Sequence, residues 1–359
     1  MKIEFNSTFN LIKEIFIGYG FSEDESKTIT NSLLAADLSG IESHGVQRMV
    51  RYDDAIKRHF VDVKAIPEIV WETPISAVID AKKAMGQIVS EQAMNIAIKK
   101  AKNSGIGMVA VRNSNHFGIA GYYAKMASKE NFIGVAMTNS EAIMVPTNGR
   151  KAMLGSNPIA LAFPADPVDF CFDAATTVVP KGKLEVYRKA EKETPDGWTV
   201  DATGEVCNNP DKVIKNIDDC AGGGILPLGG FSEQNGSHKG YGFGMICELF
   251  TSVLSGGPKS YQSYTVPDVA DTAHYFMAIN CNLFGDTDAI KKSCSELLDD
   301  LRACPSYNGR RIYVHGEKEA EIADVVRSQG IKVNIKTVEE IKEIAKRLNV
   351  PCEINVTEE

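Results

Sequence analysis

Two histidines stand beside residues able to complete a proton-transfer and carboxylate-binding site. The first lies in Glu42-Ser43-His44-Gly45-Val46-Gln47-Arg48, followed by Tyr52. If a helix begins there, His44, Arg48 and Tyr52 fall at i, i+4 and i+8 and share one face. Oxidation of a 2-hydroxy acid needs such a set. A base must take the hydroxyl proton while hydride leaves the same carbon, and a cation must hold the adjacent carboxylate. Imidazole titrates near neutrality and can serve both directions. Guanidinium matches a carboxylate with two parallel hydrogen bonds, and Ser43 can bond either the histidine or the substrate. The same residues also fit a helix cap, a surface histidine and a solvated arginine, so spacing alone leaves both readings open.

The second histidine, His116, sits in Asn113-Ser114-Asn115-His116-Phe117-Gly118-Ile119-Ala120-Gly121, between a strand-like run (Met108–Val111) and a helix-like one (Tyr122–Ala127). Strand, glycine turn and helix start together offer free backbone N–H groups to an anion; a polar turn around a buried histidine is the alternative. A third cluster, Ser237-His238-Lys239-Gly240-Tyr241-Gly242-Phe243-Gly244, puts a lysine among glycines that would let backbone approach a phosphate. Close helix packing explains it equally well. Asp173-Ala174-Ala175-Thr176 offers a carboxylate to a ribose hydroxyl, and His315-Gly316-Glu317 a further nucleotide-facing turn. No window reads G-x-G-x-x-G, G-x-x-x-x-G-K-[ST] or H-E-x-x-H, so neither a Rossmann fingerprint, a P-loop nor a zinc helix is expected.

The elements that must carry these residues belong to an ordinary globular chain. Of 359 residues, 43% are hydrophobic and 24% charged, with a formal charge of -8 and pI near 5.4. That balance argues against a nucleic-acid partner and requires an anionic substrate to be captured by locally placed cations. The first residues lack signal-peptide character, and no apolar run approaches the roughly 18–20 residues of a membrane span. The eight cysteines are scattered without C-x-x-C, so thiols of a cytoplasmic protein are expected, with no disulfide framework and no metal site.

Phe9, Ile12, Ile15 and Phe16 mark a first helix stopped by Gly18 and Gly20; Ser22 and Glu25 form a capping box for a second that runs to Gly40. A third helix is predicted from about Gly45 to His59. Strands follow at Ala77–Ile79, Gly107–Val111, Ile133–Met137 and Ile159–Phe163, with a helix over Ser90–Ser104. The stretch from Pro180 to Gly236, rich in Gly, Asp, Asn and Pro, reads as long loops. After Gly285 a helix presents Ile290, Cys294, Leu297 and Leu301. A helix over Lys318–Ser328, a strand Ile331–Ile335 and a helix capped by Thr337 and Glu340 close the chain.

Taken in order, eight segments resemble one family, the malate/L-lactate dehydrogenases of the non-Rossmann type, which also contains sulfolactate, ureidoglycolate and diketogulonate enzymes and cyclic imino-acid reductases. They are ADLSGIESHGVQRMVRY (36–52), NSNHFGIAGYYA (113–124), MTNS (137–140), LGSNPIALAFP (154–164), DAATTVVPKGK (173–183), GWTVDATG (197–204), GSHKGYGFGM (236–245) and VHGEKE (314–319). The resemblance implies an α/β (α+β) fold: a mixed-sheet NAD(P)-binding domain over residues 66–285, beside a helical domain built from both chain ends, residues 1–65 and 286–359. It implies a homodimer that moves hydride between NAD or NADP and a 2-hydroxy/2-oxo acid. Malate/oxaloacetate comes first, with L-lactate, sulfolactate, ureidoglycolate or a cyclic imino acid as alternatives, and a non-catalytic binding protein as the rival outside enzymes.

By the same resemblance, His44 exchanges the proton, with Ser43, Arg48 and His116 around it. His116, Phe117, Gly118, Ile119, Ala120, Ser140, Asp173, Ala174, Ala175, Thr176, Lys239, Gly240, His315, Gly316 and Glu317 line the dinucleotide. The chain departs from the family pattern at Thr177 (commonly Ser), Ser156 (commonly Thr) and His315 (commonly Pro). Only the last changes chemistry: a histidine there can favour a 2′-phosphate.

Overall fold

The computed structural model describes residues 1–263 and 271–358. The chain opens with β1 (Lys2–Ile3), α1 (Phe5–Tyr19) and α2 (Glu23–Leu38). Glu4 caps α1 by accepting the Asn6 and Ser7 N–H groups; Leu11, Ile12, Ile15 and Phe16 face inward, and Gly20 ends the helix at φ 102°. The Ser22–Glu25 capping box forms as its spacing predicts. The third helix differs from expectation. Two single 3₁₀ turns, Glu42–His44 and Val46–Arg48, come first, and α3 spans only Met49–Lys57. Gly45, at φ -86° and ψ -147°, breaks the run, so His44 and Arg48 are not neighbours on a helix face.

The middle of the chain continues with β2 (Glu68–Glu72), β3 (Ser76–Asp80), α4 (Gly86–Ser104), β4 (Ile106–Ser114), α5 (Ala120–Ser128), β5 (Phe132–Thr138), β6 (Ile159–Phe163) and β7 (Phe170–Ala174). Then come α6 (Lys181–Lys189), β8 (Thr199–Val200), α7 (Pro210–Asp218), β9 (Gly224–Ile225), α8 (Ser237–Glu248) and β10 (Thr272–Asn280). Among the described residues, seven strands form one mixed sheet in the order β2-β3-β4-β10-β5-β6-β7. Only β3 and β4 are parallel, and α4 makes the crossover between them. Helices α4 and α5 cover one face, burying Val89, Ala93, Ala97, Tyr123 and Ala127 with Val109, Val111 and Phe276. Their close approach needs glycine beneath them: a Cβ on Gly107 would lie 1.9 Å from the Ala97 carbonyl oxygen, and one on Gly134 2.1 Å from that of Ala124.

The stretch expected to be loops holds α6, α7 and the β8–β9 pair around a small core of Leu184, Val213, Ile214, Ile217 and Ile225. Short length and surface charge hid α6. Beyond the sheet, α9 (Thr287–Ala303) packs through Leu298 on Ala165, Phe170 and Val314; Ile290 and Cys294 are half-buried, whereas Leu297 and Leu301 are exposed. The chain ends in α10 (Glu317–Gln329), β11 (Ile331–Lys332), α11 (Ile335–Arg347) and β12 (Val356–Glu358). The strand expected to reach Ile335 stops at Lys332, because Asn334 rather than Thr337 caps α11. Strand β1 lies between β11 and β12. Val338, Ile341 and Ile344 of α11 join Ile12, Phe16, Leu33 and Tyr52 in one core. Arg347 and Lys57 both pair with the buried Asp53. The helical part is therefore built from both chain ends, as expected.

Candidate active site

Tertiary contacts bring together what the helix register does not. The Ser43 hydroxyl lies 2.9 Å from His44 Nδ1, and Arg48 Nε donates to the Ser43 carbonyl, folding the arginine back over the turn. From the sheet domain, the loop after β4 delivers His116. Its ring lies 5.6 Å from that of His44, at an interplanar angle of 28°. Tyr52 completes the set, its hydroxyl 2.8 Å from His116 Nδ1. Ser43, His44, Arg48, Tyr52 and His116 thus meet where the helical part faces the sheet.

Electrostatics keep both imidazoles neutral. Burial, then the charges of Arg48 and Arg51, pull His44 down to about 4. Burial, then Arg51, holds His116 well below its ordinary value. Arg51, which an unbroken helix would turn away from Arg48, therefore acts on both rings. Arg48 is itself lowered by burial and by Arg51. None of the ion pairs among the described residues reaches Arg48; Glu141 and Glu185 act on it only over a longer range. A neutral imidazole can accept a proton from a hydroxyl, and a guanidinium without an acid partner can take a carboxylate.

A cavity of about 490 Å³ lies between α2, α5, β7 and α10, and none of Ser43, His44, Arg48, Tyr52 and His116 lines it. Ile119, Asp173, His315 and Gly316 line it, together with Ile41, just before the His44 turn, and Lys125, Lys129 and Arg327. Asp173 Oδ2 accepts the Gly121 N–H at 2.7 Å, so a carboxylate already occupies part of the helix start expected to bind an anion. Burial raises Asp173 to about 6. The cavity is of ordinary size for a cofactor, and its mixture of apolar surface, two carboxylates (Asp173 and Glu319) and three cations suits the ribose and phosphates of a dinucleotide. His315 is exposed, edge-on to Phe170 and Phe172.

Other expected ligand residues are placed differently. Phe117 is buried, stacked on His274 at 4.7 Å and Tyr123 at 4.9 Å, so its side chain belongs to the core. Glu317 bonds the Val314 N–H and pairs with Arg302, tying down its own turn. Ser140 meets Ser156 at 3.3 Å, and Thr176 spends its hydroxyl on the Ser156 and Asn157 carbonyls. Ala174 and Ala175, half-buried, follow Asp173. Lys239 and Gly240 border a separate cavity of about 290 Å³. A Cβ on Gly240 would meet the Leu228 backbone at 2.3 Å, so that glycine serves packing. Gly118, at φ 89°, and buried Ala120 complete the turn into α5.

His274 escaped notice in the sequence. Fully buried on β10, it sits between Thr138 Oγ1 at 2.7 Å and Ser114 Oγ at 2.8 Å, and burial holds it near 3. A lone histidine in an apolar strand gave no sign that its ring supports the Phe117 turn.

The sequence pattern described as malate/L-lactate dehydrogenase matches residues 3–342. This chain belongs to the malate/L-lactate dehydrogenase family. Within that family it is 40% identical to a malate dehydrogenase of Pyrococcus abyssi, over 98% of this chain and 96% of that protein. To an L-sulfolactate dehydrogenase of Methanocaldococcus jannaschii it is 36% identical, over 96% of each. The crystal structure of malate dehydrogenase from Entamoeba histolytica superposes with a TM-score of 0.94 at 33% identity, over 98% of this chain and 99% of that one. Membership in the malate/L-lactate dehydrogenase family makes the chain a dehydrogenase acting on a hydroxy acid with a nicotinamide cofactor. No helix of the described residues is long and apolar enough to cross a membrane.

Proposed function

We propose that the enzyme interconverts malate and oxaloacetate, with His44 as the proton-transfer group and Arg48 as the carboxylate clamp. The observation that carries this reading is a half-buried guanidinium that pairs with no carboxylate among the described residues, in the same cluster as two neutral imidazoles. A bound nicotinamide would supply the hydride acceptor or donor for the carbon bearing the hydroxyl. In oxidation, His44 accepts the hydroxyl proton while Ser43 Oγ holds Nδ1; in reduction, His44 returns a proton to the alkoxide. Arg48 Nε is committed to the Ser43 carbonyl, which leaves its two terminal nitrogens to grip a carboxylate. The charge of Arg51, felt by both imidazoles, adds to the positive potential around them, which favours a dicarboxylate over lactate. Tyr52 fixes the His116 ring through Nδ1.

The cavity bordered by Asp173 and the cations Lys125, Lys129 and Arg327 is the proposed seat of the adenosine half of NAD or NADP. A homodimer is supported by the exposed apolar side of α8 and the turn after it, where Leu249 and Leu254 are 53% and 56% exposed and Phe243, Ile246 and Val253 join them. The deciding experiment follows NADH at 340 nm with oxaloacetate, pyruvate, sulfopyruvate and a ring imine. Oxaloacetate is expected to give the highest kcat/KM, and His44→Ala to lower kcat by about 10²-fold or more. Full activity in that variant removes the assignment.

A further inference from the structure

Resting on His44 as the proton-transfer group, we infer that Asp37 is the positioning residue that holds the His44 turn in place from α2. The residue is 5% exposed, and Oδ2 accepts the Val46 N–H at 2.9 Å. The carboxyl also lies flat on Gly45: a Cβ there would fall 1.9 Å from Oδ1 and 2.2 Å from Cγ. Gly45 has a negative φ of -86°, so side-chain room, not a left-handed backbone, is what demands glycine. Ile41 N–H bonds the Ala36 carbonyl and anchors the start of the turn to α2, whereas the bonds beyond it run within the turn itself: His44 N–H to Ile41, Gly45 N–H to Glu42 and Arg48 N–H to Gly45. Asp37 therefore ties the turn to the helix beneath it. Two functional side chains flank the tie, His44 just before it and Arg48 just after.

Burial raises the Asp37 carboxyl to about 8, so at neutral pH it is mainly the uncharged acid. Asparagine is its close mimic: the amide oxygen can still accept the Val46 N–H, and its volume is the same. Alanine removes both the acceptor and the wall against Gly45. A misplacement of about 1 Å at a reacting group can cost on the order of 10²-fold in rate.

The test compares Asp37→Asn, Asp37→Ala, Gly45→Ala, the double variant Asp37→Ala/Gly45→Ala and, as control, His44→Ala, each checked for folding by circular dichroism and thermal melting. Asp37→Ala is expected to lower kcat by about 10- to 100-fold while leaving the KM for NADH unchanged, and Asp37→Asn to restore most of the rate. Gly45→Ala should be as damaging alone. Its effect should largely vanish in the double variant, where the carboxyl no longer blocks the methyl group. A folded Asp37→Ala enzyme with wild-type kcat, or an Asp37→Asn enzyme as impaired as Asp37→Ala, overturns the inference. If either result comes with an inactive His44→Ala control, only the Asp37 role fails; an active control removes the proton-transfer assignment as well.

Discussion

The charge of Arg51 makes it the most informative residue to change. In the resting site, burial first and then Arg48 and Arg51 hold His44 near 4 instead of 6.5. Oxidation of the hydroxy acid needs neutral His44, and kcat/KM reports the ionisation of the free enzyme. With a value near 4, about nine-tenths of His44 is neutral at pH 5; at its ordinary 6.5, roughly 3% would be, a difference of about 30-fold. The acid limb of kcat/KM is therefore expected near pH 4. Arg51→Gln removes a cation that disfavours the imidazolium, so its limb should lie at higher pH than the wild type while staying below 6.5, since burial and Arg48 remain. Initial rates of NAD(P)H formation over pH 4–8 measure both curves, and using one substrate for both enzymes cancels the titration of its own carboxylates. Superimposed profiles, or a wild-type limb at 6.5, refute the reasoning. Stability must be followed alongside. His44 and His274 bind protons more weakly when folded, so their contribution is complete above 6.5 and declines as pH falls below it, because the unfolded chain takes up those protons first.

Arg48→Ala is expected to raise the KM for the acid far more than it lowers kcat, read from steady-state kinetics at saturating dinucleotide. Tyr52→Phe removes the bond to His116 Nδ1 and should lower kcat/KM by about 2- to 10-fold, the size of one hydrogen bond, without changing the melting temperature greatly. His315→Ala should reduce kcat/KM for NADPH more than for NADH. Gly134→Ala drives a methyl group to 2.1 Å from the Ala124 carbonyl and should destabilise the protein by about 1–3 kcal/mol, measured by denaturant unfolding.

Much of this arrangement was legible because the motifs are contiguous in sequence. Ser43, His44 and Arg48 share one short segment, and the capping box at Ser22 and Glu25 needs no distant partner. Failures came where a distant residue decides. The expected helix from Gly45 breaks because Asp37, on another helix, packs against Gly45; no local pattern contains that contact. In α9, Leu298 rather than Leu297 and Leu301 turns inward, because the partners are Ala165 and Val314, which the helix pattern cannot register. Helix α7 is a different case. Asn209 caps it and Pro210 opens it, a local start signal overlooked within a stretch judged by composition.

One consequence follows from β1 lying between β11 and β12. Met1–Ile3 and the segment around Ile331–Val356 are more than three hundred residues apart along the chain, yet they are knitted into the same three strands. During synthesis, the helices flanking His44 must wait for α11 before their apolar sides are covered, while the sheet can already form. Such distant pairing slows folding. It also couples reactivity to completeness: a nascent chain halted before α11 would carry every motif of the pocket and still lack the packing that keeps His44 in place.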